Sequence, residues 1–239
     1  MDETVFCVTE DSSVLLWTGN PDCQTAHNEI LTFLSENCAP FITDSKPKDN
    51  ILRGNLGETI TFCLGSWSKF GDSCLKHLPN ALRPYSGKSN PEIDLLWMHI
   101  GKEPKDDWAV LQEVKTTGAA SISYANNLID DYDKLFGTQP RFTLHSRMQD
   151  FKNRLQYEQN RPQSILGRVS RMCGTSPATS RKIRLVPTVV HDNSAADVVS
   201  TMLAIRDTLV GREWHEIEPW AIGFSDLDSR LHRLARGVR

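Results

Sequence analysis

The sequence predicts an α/β protein in which helices flank a mixed central β-sheet. Two apolar runs, residues 93–100 and 108–115, enclose a short polar segment that contains a glycine and a proline. This spacing is typical of an antiparallel β-hairpin. Helix-compatible segments lie on both sides of the hairpin, and β-branched or aromatic runs return towards the C-terminus. This alternation favours a layered α/β architecture.

The order of the other elements supports this fold class. The patterns predict short strands within residues 4–9 and 14–17, strands over 183–190 and 214–224, and helices over 23–34, 54–64, 123–136, 147–160 and 195–209. In the helix over 54–64, Leu56, Ile60 and Leu64 share one stripe that can be buried. Helix-breaking Pro40 and Pro47 favour an N-terminal extension over residues 1–50 and one domain over residues 51–239.

The composition is that of an ordinary globular chain. Of the 239 residues, 39% are hydrophobic and 24% are charged, which argues against wholesale disorder. No apolar run approaches the roughly 18 residues that a membrane span needs. Met1 is followed by acidic residues rather than by a basic, then apolar, leader. We therefore expect a cytoplasmic protein without a membrane partner. The six cysteines form no CxxC pair, so neither a zinc site nor a disulfide framework is predicted.

Charge is distributed unevenly along the chain. Residues 1–60 hold three Lys/Arg and ten Asp/Glu, a balance of −7, whereas residues 141–184 hold ten Lys/Arg and two Asp/Glu, a balance of +8. A basic block of this size suits a polyanion, because Lys and Arg replace the counterions along phosphates. We therefore interpret Arg154, Arg161, Arg168 and Arg171 as candidate nucleic-acid-binding residues. The alternative is a solvated helix face.

Asp94, Glu113 and Lys115 are the candidate catalytic residues. Glu113 and Lys115 are two positions apart on a predicted strand, so they share a face, and the hairpin can set Asp94 opposite them. Two facing carboxylates repel each other unless a cation lies between them, and oxygen ligands suit Mg²⁺ or Mn²⁺. The Lys115 ammonium can orient an attacking water or stabilise charge on a phosphorane. The pattern predicts hydrolysis of phosphodiester bonds.

Context distinguishes Glu113-Val114-Lys115 from other acid-x-Lys matches. The chain has four such matches, beginning at Asp44, Glu103, Glu113 and Asp150. Only the match at Glu113 ends an apolar strand that pairs with an Asp-bearing strand.

Pro91-Glu92-Ile93-Asp94 and the later Glu113-Val114-Lys115 resemble the active-site hairpin of the PD-(D/E)XK, or restriction-endonuclease-like, nuclease superfamily. The resemblance implies a mixed four-stranded core flanked by helices and Mg²⁺-dependent cleavage of DNA or, in some members, RNA. It also implies an acidic metal ligand on the preceding helix, for which Glu58 is the candidate. Here the proline lies three residues before Asp94 rather than next to it, so Glu92 competes with Asp94 as the metal ligand.

A narrower resemblance is to the nuclease subunit of Hachiman-type antiphage defence systems. It is carried by the helix with Gly54-Asn-Leu-Gly57-Glu58, the strand with Glu113-Val114-Lys115 and the arginine-rich stretch that follows. In such systems the nuclease works with a separate helicase subunit, which implies a helicase-type partner.

Each of these interpretations has a simpler alternative. The triad residues can be solvated charges with a cross-strand ion pair, and Glu58 can interact with a helix dipole. Asp130, Asp131 and Asp133 on one helical stretch are interpreted as a solvated face. The whole chain can be a catalytically silent nucleic-acid-binding or scaffolding subunit with the same fold.

Overall fold

The fold is an α/β arrangement with a mixed β-sheet flanked by helices, which confirms the predicted class. The computed structural model describes residues 6–8, 15–18, 49–68, 70, 74–76, 93–136, 144–157, 160–172, 182–212, 216–229 and 231. Its helices are α1 (Asp49–Ser68), α2 (Asn127–Phe136), α3 (Leu144–Tyr157), α4 (Gln163–Met172) and α5 (Val198–Val210). Its strands are β1 (Phe6–Val8), β2 (Leu15–Thr18), β3 (Cys74–Lys76), β4 (Leu95–His99), β5 (Trp108–Gln112), β6 (Val114–Thr117), β7 (Ile183–Leu185), β8 (Thr188–Asp192), β9 (Glu216–Ile217) and β10 (Trp220–Phe224).

The strands form two five-stranded sheets in the orders β3-β4-β5-β7-β9 and β1-β2-β10-β8-β6. Three long segments, β5 with β6, β7 with β8 and β9 with β10, each run from the first sheet into the second. Backbone hydrogen bonds continue across the interruption, from Val186 N to Leu111 O and from Thr188 N to Glu113 O, both at 2.9 Å. The two sheets are therefore joined through three interrupted strands.

The interruption lies at the same level in all three segments. Pro187 and Pro219 stand at the gaps between β7 and β8 and between β9 and β10, and proline has no N–H to donate to a ladder. In the segment formed by β5 and β6, the Glu113 amide donates to the Tyr132 hydroxyl at 3.2 Å instead of to a carbonyl of a neighbouring strand. Glu113 therefore lies at the level of the sheet where two prolines and the Glu113 amide interrupt the strand ladder.

The predicted hairpin is confirmed, and its register positions the site. Strands β4 and β5 are antiparallel, with Leu95 opposite Gln112. Asp94 immediately precedes this pair and therefore faces Glu113. Strand β4 extends no further in this direction, so β6 forms an edge of the second sheet.

Alternate residues of the hairpin face two separate apolar cores. Leu96, Met98 and Leu111 pack with helices α2 to α5, whereas Trp97 and Val114 pack with α1. Asp94, Glu113 and Lys115 have the parity of the first set, so they lie on the face that carries α2 to α5.

The apolar stripe predicted in α1 is confirmed, and α5 buries a stripe on the other face. In α1 the stripe of Leu56, Ile60, Cys63 and Leu64 is buried, and in α5 the stripe of Val198, Met202, Ile205 and Leu209 is buried. None of the helices described here is long and apolar enough to cross a membrane.

Some elements were not predicted, and one lies outside the described residues. Helix α4 begins directly after Pro162 and buries Leu166 and Val169, a spacing of three that the sequence pattern could have revealed. Strand β3 has only three residues and was also not predicted. The helix predicted over residues 23–34 lies outside the described part. Strand β2 pairs with β10 in parallel, so the predicted extension contributes to the sheet.

Gly57 sets the distance between α1 and β6, and we predict that Gly57→Ala destabilises the protein. A Cβ at this position would overlap the Thr116 hydroxyl. The helix must then move, at a cost of about 1–3 kcal/mol in the free energy of unfolding. Gly54→Ala is the matched control, because nothing lies within 4 Å of its added Cβ. Urea unfolding should show Gly54→Ala to be neutral or up to about 1 kcal/mol more stable than wild type. Equal effects of the two changes would contradict this packing.

Candidate active site

The carboxyl groups of Asp94 and Glu113 form a close pair at the end of the hairpin. They lie within hydrogen-bonding reach of each other. Glu113 is only 6% exposed, and Asp94 is half-buried. Asp94 Oδ2 also accepts a hydrogen bond from the backbone amide of Val114 at 2.8 Å. The Asp94 side chain thereby replaces the strand partner that β6 loses where β4 ends.

Burial and mutual repulsion disfavour ionisation of this pair. Burial, followed by the charges of Asp94 and Asp131, raises the pKa of Glu113 well above its ordinary value. Burial also raises the pKa of Asp94, although the Val114 amide and the charge of Lys115 oppose the rise. The pair therefore releases protons less readily than ordinary carboxyls, and a bound cation would oppose this effect.

Lys115 follows on the same face, and its ammonium forms an ion pair with Asp131 of α2. Asp131 also accepts a hydrogen bond from Lys134 at 2.7 Å. Burial alone would lower the pKa of Lys115, but the hydrogen bond and charge of Asp131, helped by Asp94 and Glu113, raise it. Burial would raise the pKa of Asp131, but Lys115 and Lys134 lower it. Both partners of this pair are charged at neutral pH.

The interpretation of the 130–133 acids as a solvated face is wrong for Asp131. Asp130 is exposed and Asp133 pairs with Arg212, but the side chain of Asp131 is 22% exposed and pairs with Lys115. The sequence did not reveal this, because consecutive helical residues point in different directions and the orientation of α2 depends on its packing.

Tyr132 was also not identified from the sequence. Its hydroxyl accepts from the Glu113 amide at 3.2 Å and donates to Leu111 O at 3.1 Å. Burial and the charge of Glu113 raise the pKa of Tyr132 well above its ordinary value, so the phenol stays protonated. Leu128, Tyr132 and Leu135 form the buried stripe of α2. A tyrosine within such a stripe needs a hydrogen-bond partner, and this requirement was the available signal.

The fourth predicted catalytic residue, Glu58, lies on α1. Glu58 is half-buried beside Gly57, where α1 packs closely against Thr116. Helix α1 covers the face opposite the one that carries Glu113 and Lys115. The role of Glu58 as a metal ligand stays a prediction. Glu92, the alternative to Asp94, lies outside the described residues.

The arginines of the predicted nucleic-acid surface occupy different environments. Arg168 donates to Asp107 Oδ2 at 2.9 Å and to Gly101 O at 2.8 Å, and its guanidinium forms a second bond to the same carboxylate. These contacts tie α4 to the turn of the hairpin. That turn lies about seven strand residues, or roughly 20 Å, from the Asp94–Glu113 end. Arg161 and Arg171 are exposed, and Arg154 is half-buried.

The pair suits a hard divalent cation supported by two protein carboxylates. Mg²⁺ commonly binds one or two carboxylates and completes its shell with waters and substrate phosphate. Burial is the largest cause of the raised pKa values of the two acids, and the charge of Lys115 only partly opposes it. Within the described ranges, no group of three or more His, Cys, Asp or Glu side chains is arranged to hold a metal ion. Asp94 and Glu113 would therefore be the protein ligands.

No family model and no curated protein matches the chain. The chemistry of the site must therefore be inferred from its own residues.

We predict that Glu113 makes the metal-free protein less stable as the pH rises. Below its ordinary pKa of 4.5 the carboxyl is protonated in both the folded and unfolded states. Between that value and the raised folded pKa, only the unfolded state releases the proton, so the free energy of unfolding falls. Glu113→Gln cannot ionise. In EDTA, urea unfolding should show the stability of wild type relative to Glu113→Gln falling from pH 4.5 upwards. A difference that stays constant with pH would contradict the buried, raised-pKa carboxyl.

A second prediction concerns Arg168. Asp107 has a side chain that is only 4% exposed, so removing its partner leaves a buried charge without compensation. Arg168→Gln should lower the free energy of unfolding by about 3–5 kcal/mol. Arg171→Gln, at an exposed position of the same helix, should change it by no more than about 0.5 kcal/mol. Chemical denaturation of the two variants measures this, and similar values would show that Arg168 does not link α4 to the hairpin.

Proposed function

We propose that the protein is a metal-dependent phosphodiesterase of the PD-(D/E)XK type that hydrolyses DNA. One observation carries the proposal: Asp94 faces Glu113 where the hairpin ends, and Lys115 follows on the same side of the edge strand. Two acids and one lysine at the end of an antiparallel hairpin can hold a divalent ion and stabilise charge on a phosphate, which suits phosphodiester hydrolysis. The mixed unit β3-β4-β5-β7, with helices on both faces, supports the same proposal.

Each residue has a distinct part in this chemistry. A bound Mg²⁺ or Mn²⁺ would supply a water of lowered pKa and neutralise charge on the phosphate. Asp94 and Glu113 would hold the ion, which would favour the ionised form of both carboxyls. Lys115 directs its ammonium to the phosphate oxygens, where negative charge develops. The neighbouring apolar core, which includes Leu111 and Met98, limits water to the open edge of β6.

The proposed substrate is DNA, and the basic helices α3 and α4 would contribute positive charge to its binding surface. They lie on the same face of the sheet as the triad. Arg171 of α4 and Arg161, which precedes α4, are exposed and can contact phosphates, whereas Arg168 is committed to Asp107. We also propose a helicase-type partner in antiphage defence, on the sequence resemblance alone.

A catalytically silent subunit is the second candidate. It is favoured by the ion pair of Lys115 with Asp131 and by the presence of only two facing carboxylates among the described residues. Such a subunit would bind nucleic acid without binding a divalent ion. Titration calorimetry with Mn²⁺ separates the two candidates, because the proposed enzyme binds the ion and the silent subunit does not.

We predict that the wild type cleaves DNA only with a divalent ion. Plasmid, linear and single-stranded DNA should be cut with Mg²⁺ or Mn²⁺, and EDTA should abolish cutting. Asp94→Asn, Glu113→Gln and Lys115→Met should each lower the rate by at least about 10²-fold, because each removes a group that acts on the reacting phosphate or its metal. Asp130→Asn is the matched control on α2, since Asp130 is exposed.

Two results would overturn this assignment. Cleavage that persists at the wild-type rate in all three site variants would come from another site or a contaminant. A wild type that neither binds Mn²⁺ nor cuts any of the three DNA forms would establish the silent-subunit alternative.

A further inference from the structure

We propose that Asp131 and Tyr132 of α2 are positioning residues that keep the Asp94–Glu113 pair available to a divalent cation. The inference rests on the proposed function. It adds a role for two residues that the hairpin motif does not contain and that touch neither the metal nor the substrate directly. It also makes α2 the element that organises the site.

The Lys115 ammonium and a divalent cation can compete for the Asp94–Glu113 pair. Lys115 is two residues from Glu113 on the same face, so its ammonium is the positive charge nearest to the two acids along the strand. Its charge also favours ionisation of both acids. An ammonium that turned to Glu113 would neutralise the pair and compete with a divalent ion. The structure shows it paired with Asp131 instead.

Asp131 is suited to hold that ammonium away from the pair. It projects from α2 and forms the ion pair with Lys115, while Lys134, one turn later, donates to its Oδ1 at 2.7 Å. Lys134 neutralises part of the Asp131 charge and fixes the carboxylate. Asp131 therefore retains Lys115 beside the site without removing it from the reacting face.

Tyr132 holds the backbone of Glu113 in place. Its hydroxyl bridges the Glu113 amide and the Leu111 carbonyl at the interruption between β5 and β6. The ring is fully buried, so the hydroxyl is held rigidly. Without this bridge the Glu113 amide would lack a partner at the point where the strand is already interrupted. The Glu113 carboxyl would then lose its fixed position opposite Asp94.

Adjacent residues on α2 thus act on two different groups of the strand. Asp131 acts on the Lys115 side chain, and Tyr132 acts on the Glu113 main chain. A small displacement of α2 would alter both together, since an error of about 1 Å in the placement of a reacting group can cost on the order of 10²-fold in rate.

Mn²⁺ titration calorimetry tests the inference without depending on activity. Asp131→Asn should raise the Mn²⁺ dissociation constant by about 10- to 100-fold, because the released Lys115 ammonium competes for Glu113. The double variant Asp131→Asn with Lys115→Met should return to the affinity of Lys115→Met alone. Asp133→Asn is the matched control, since Asp133 lies on the same helix but pairs with Arg212. Asp131→Glu should retain most of the wild-type affinity.

Tyr132→Phe should weaken Mn²⁺ binding by a similar factor, but Lys115→Met should not restore it, because the defect lies in the Glu113 backbone. Tyr124→Phe, at an exposed tyrosine, is its control. With DNA as substrate, Asp131→Asn should lower kcat and leave KM unchanged, because the change acts on Lys115 and the metal-binding acids rather than on the basic residues proposed to bind DNA. Thermal unfolding in EDTA checks that each variant is folded. If Asp131→Asn does not fold, Asp131→Ser replaces it.

The outcomes separate this inference from the proposed function. Wild-type affinity for Mn²⁺ in Asp131→Asn, or no recovery in the double variant, would overturn the role of Asp131 while leaving the nuclease proposal intact. The predicted affinity changes without DNA cleavage would support the positioning roles and overturn the nuclease proposal. A wild type that binds no Mn²⁺ would overturn both.

Discussion

The close burial of two acids, Asp94 and Glu113, is the constraint on which the rest of the site depends. Carboxylates at this separation cannot both ionise cheaply in a site that excludes water. Two groups reduce this cost. The Val114 amide donates a hydrogen bond to Asp94, and the positive charge of Lys115 lies on the same face. Asp94 also has a structural part, because its carboxylate accepts the hydrogen bond of the Val114 amide where β4 ends.

The interruption of the sheet gives these acids their place. Three neighbouring strand segments break at one level, where two prolines lack amide donors and the Glu113 amide turns to Tyr132. On the opposite face, a buried polar chain crosses the same level. Trp97 Nε1 donates to Gln112 Oε1 at 3.0 Å, and Gln112 Nε2 donates to Thr188 Oγ1 at 2.9 Å. These bonds fix the relative positions of the strands where the backbone hydrogen bonding is interrupted. Asp94 and Glu113, on the other face, are therefore held rigidly.

The arginines of the basic block occupy at least two different environments. Arg168 is committed to a buried ion pair that fixes the turn of the hairpin, and its loss would affect folding before it affected any ligand. Arg171 on the same helix is exposed. A count of positive charges along the chain cannot distinguish these two environments, because the distinction depends on whether an acid from another element faces each guanidinium. Here Asp107, 61 residues earlier in the chain, meets Arg168.

The sequence by itself determined the local features of this protein. Two apolar runs around a short polar turn predicted the hairpin, the two-residue period of a strand put Glu113 and Lys115 on one face, and the four-residue spacing predicted the buried stripe of α1. These features depend on residues close together in the chain. Only the tertiary structure decided that Asp131 pairs with Lys115, that Tyr132 holds the Glu113 amide, and that α1 covers the opposite face from the triad. Such contacts depend on how each helix is rotated and docked on the sheet. The packing of side chains from distant parts of the chain sets this orientation, so it leaves no local pattern in the sequence.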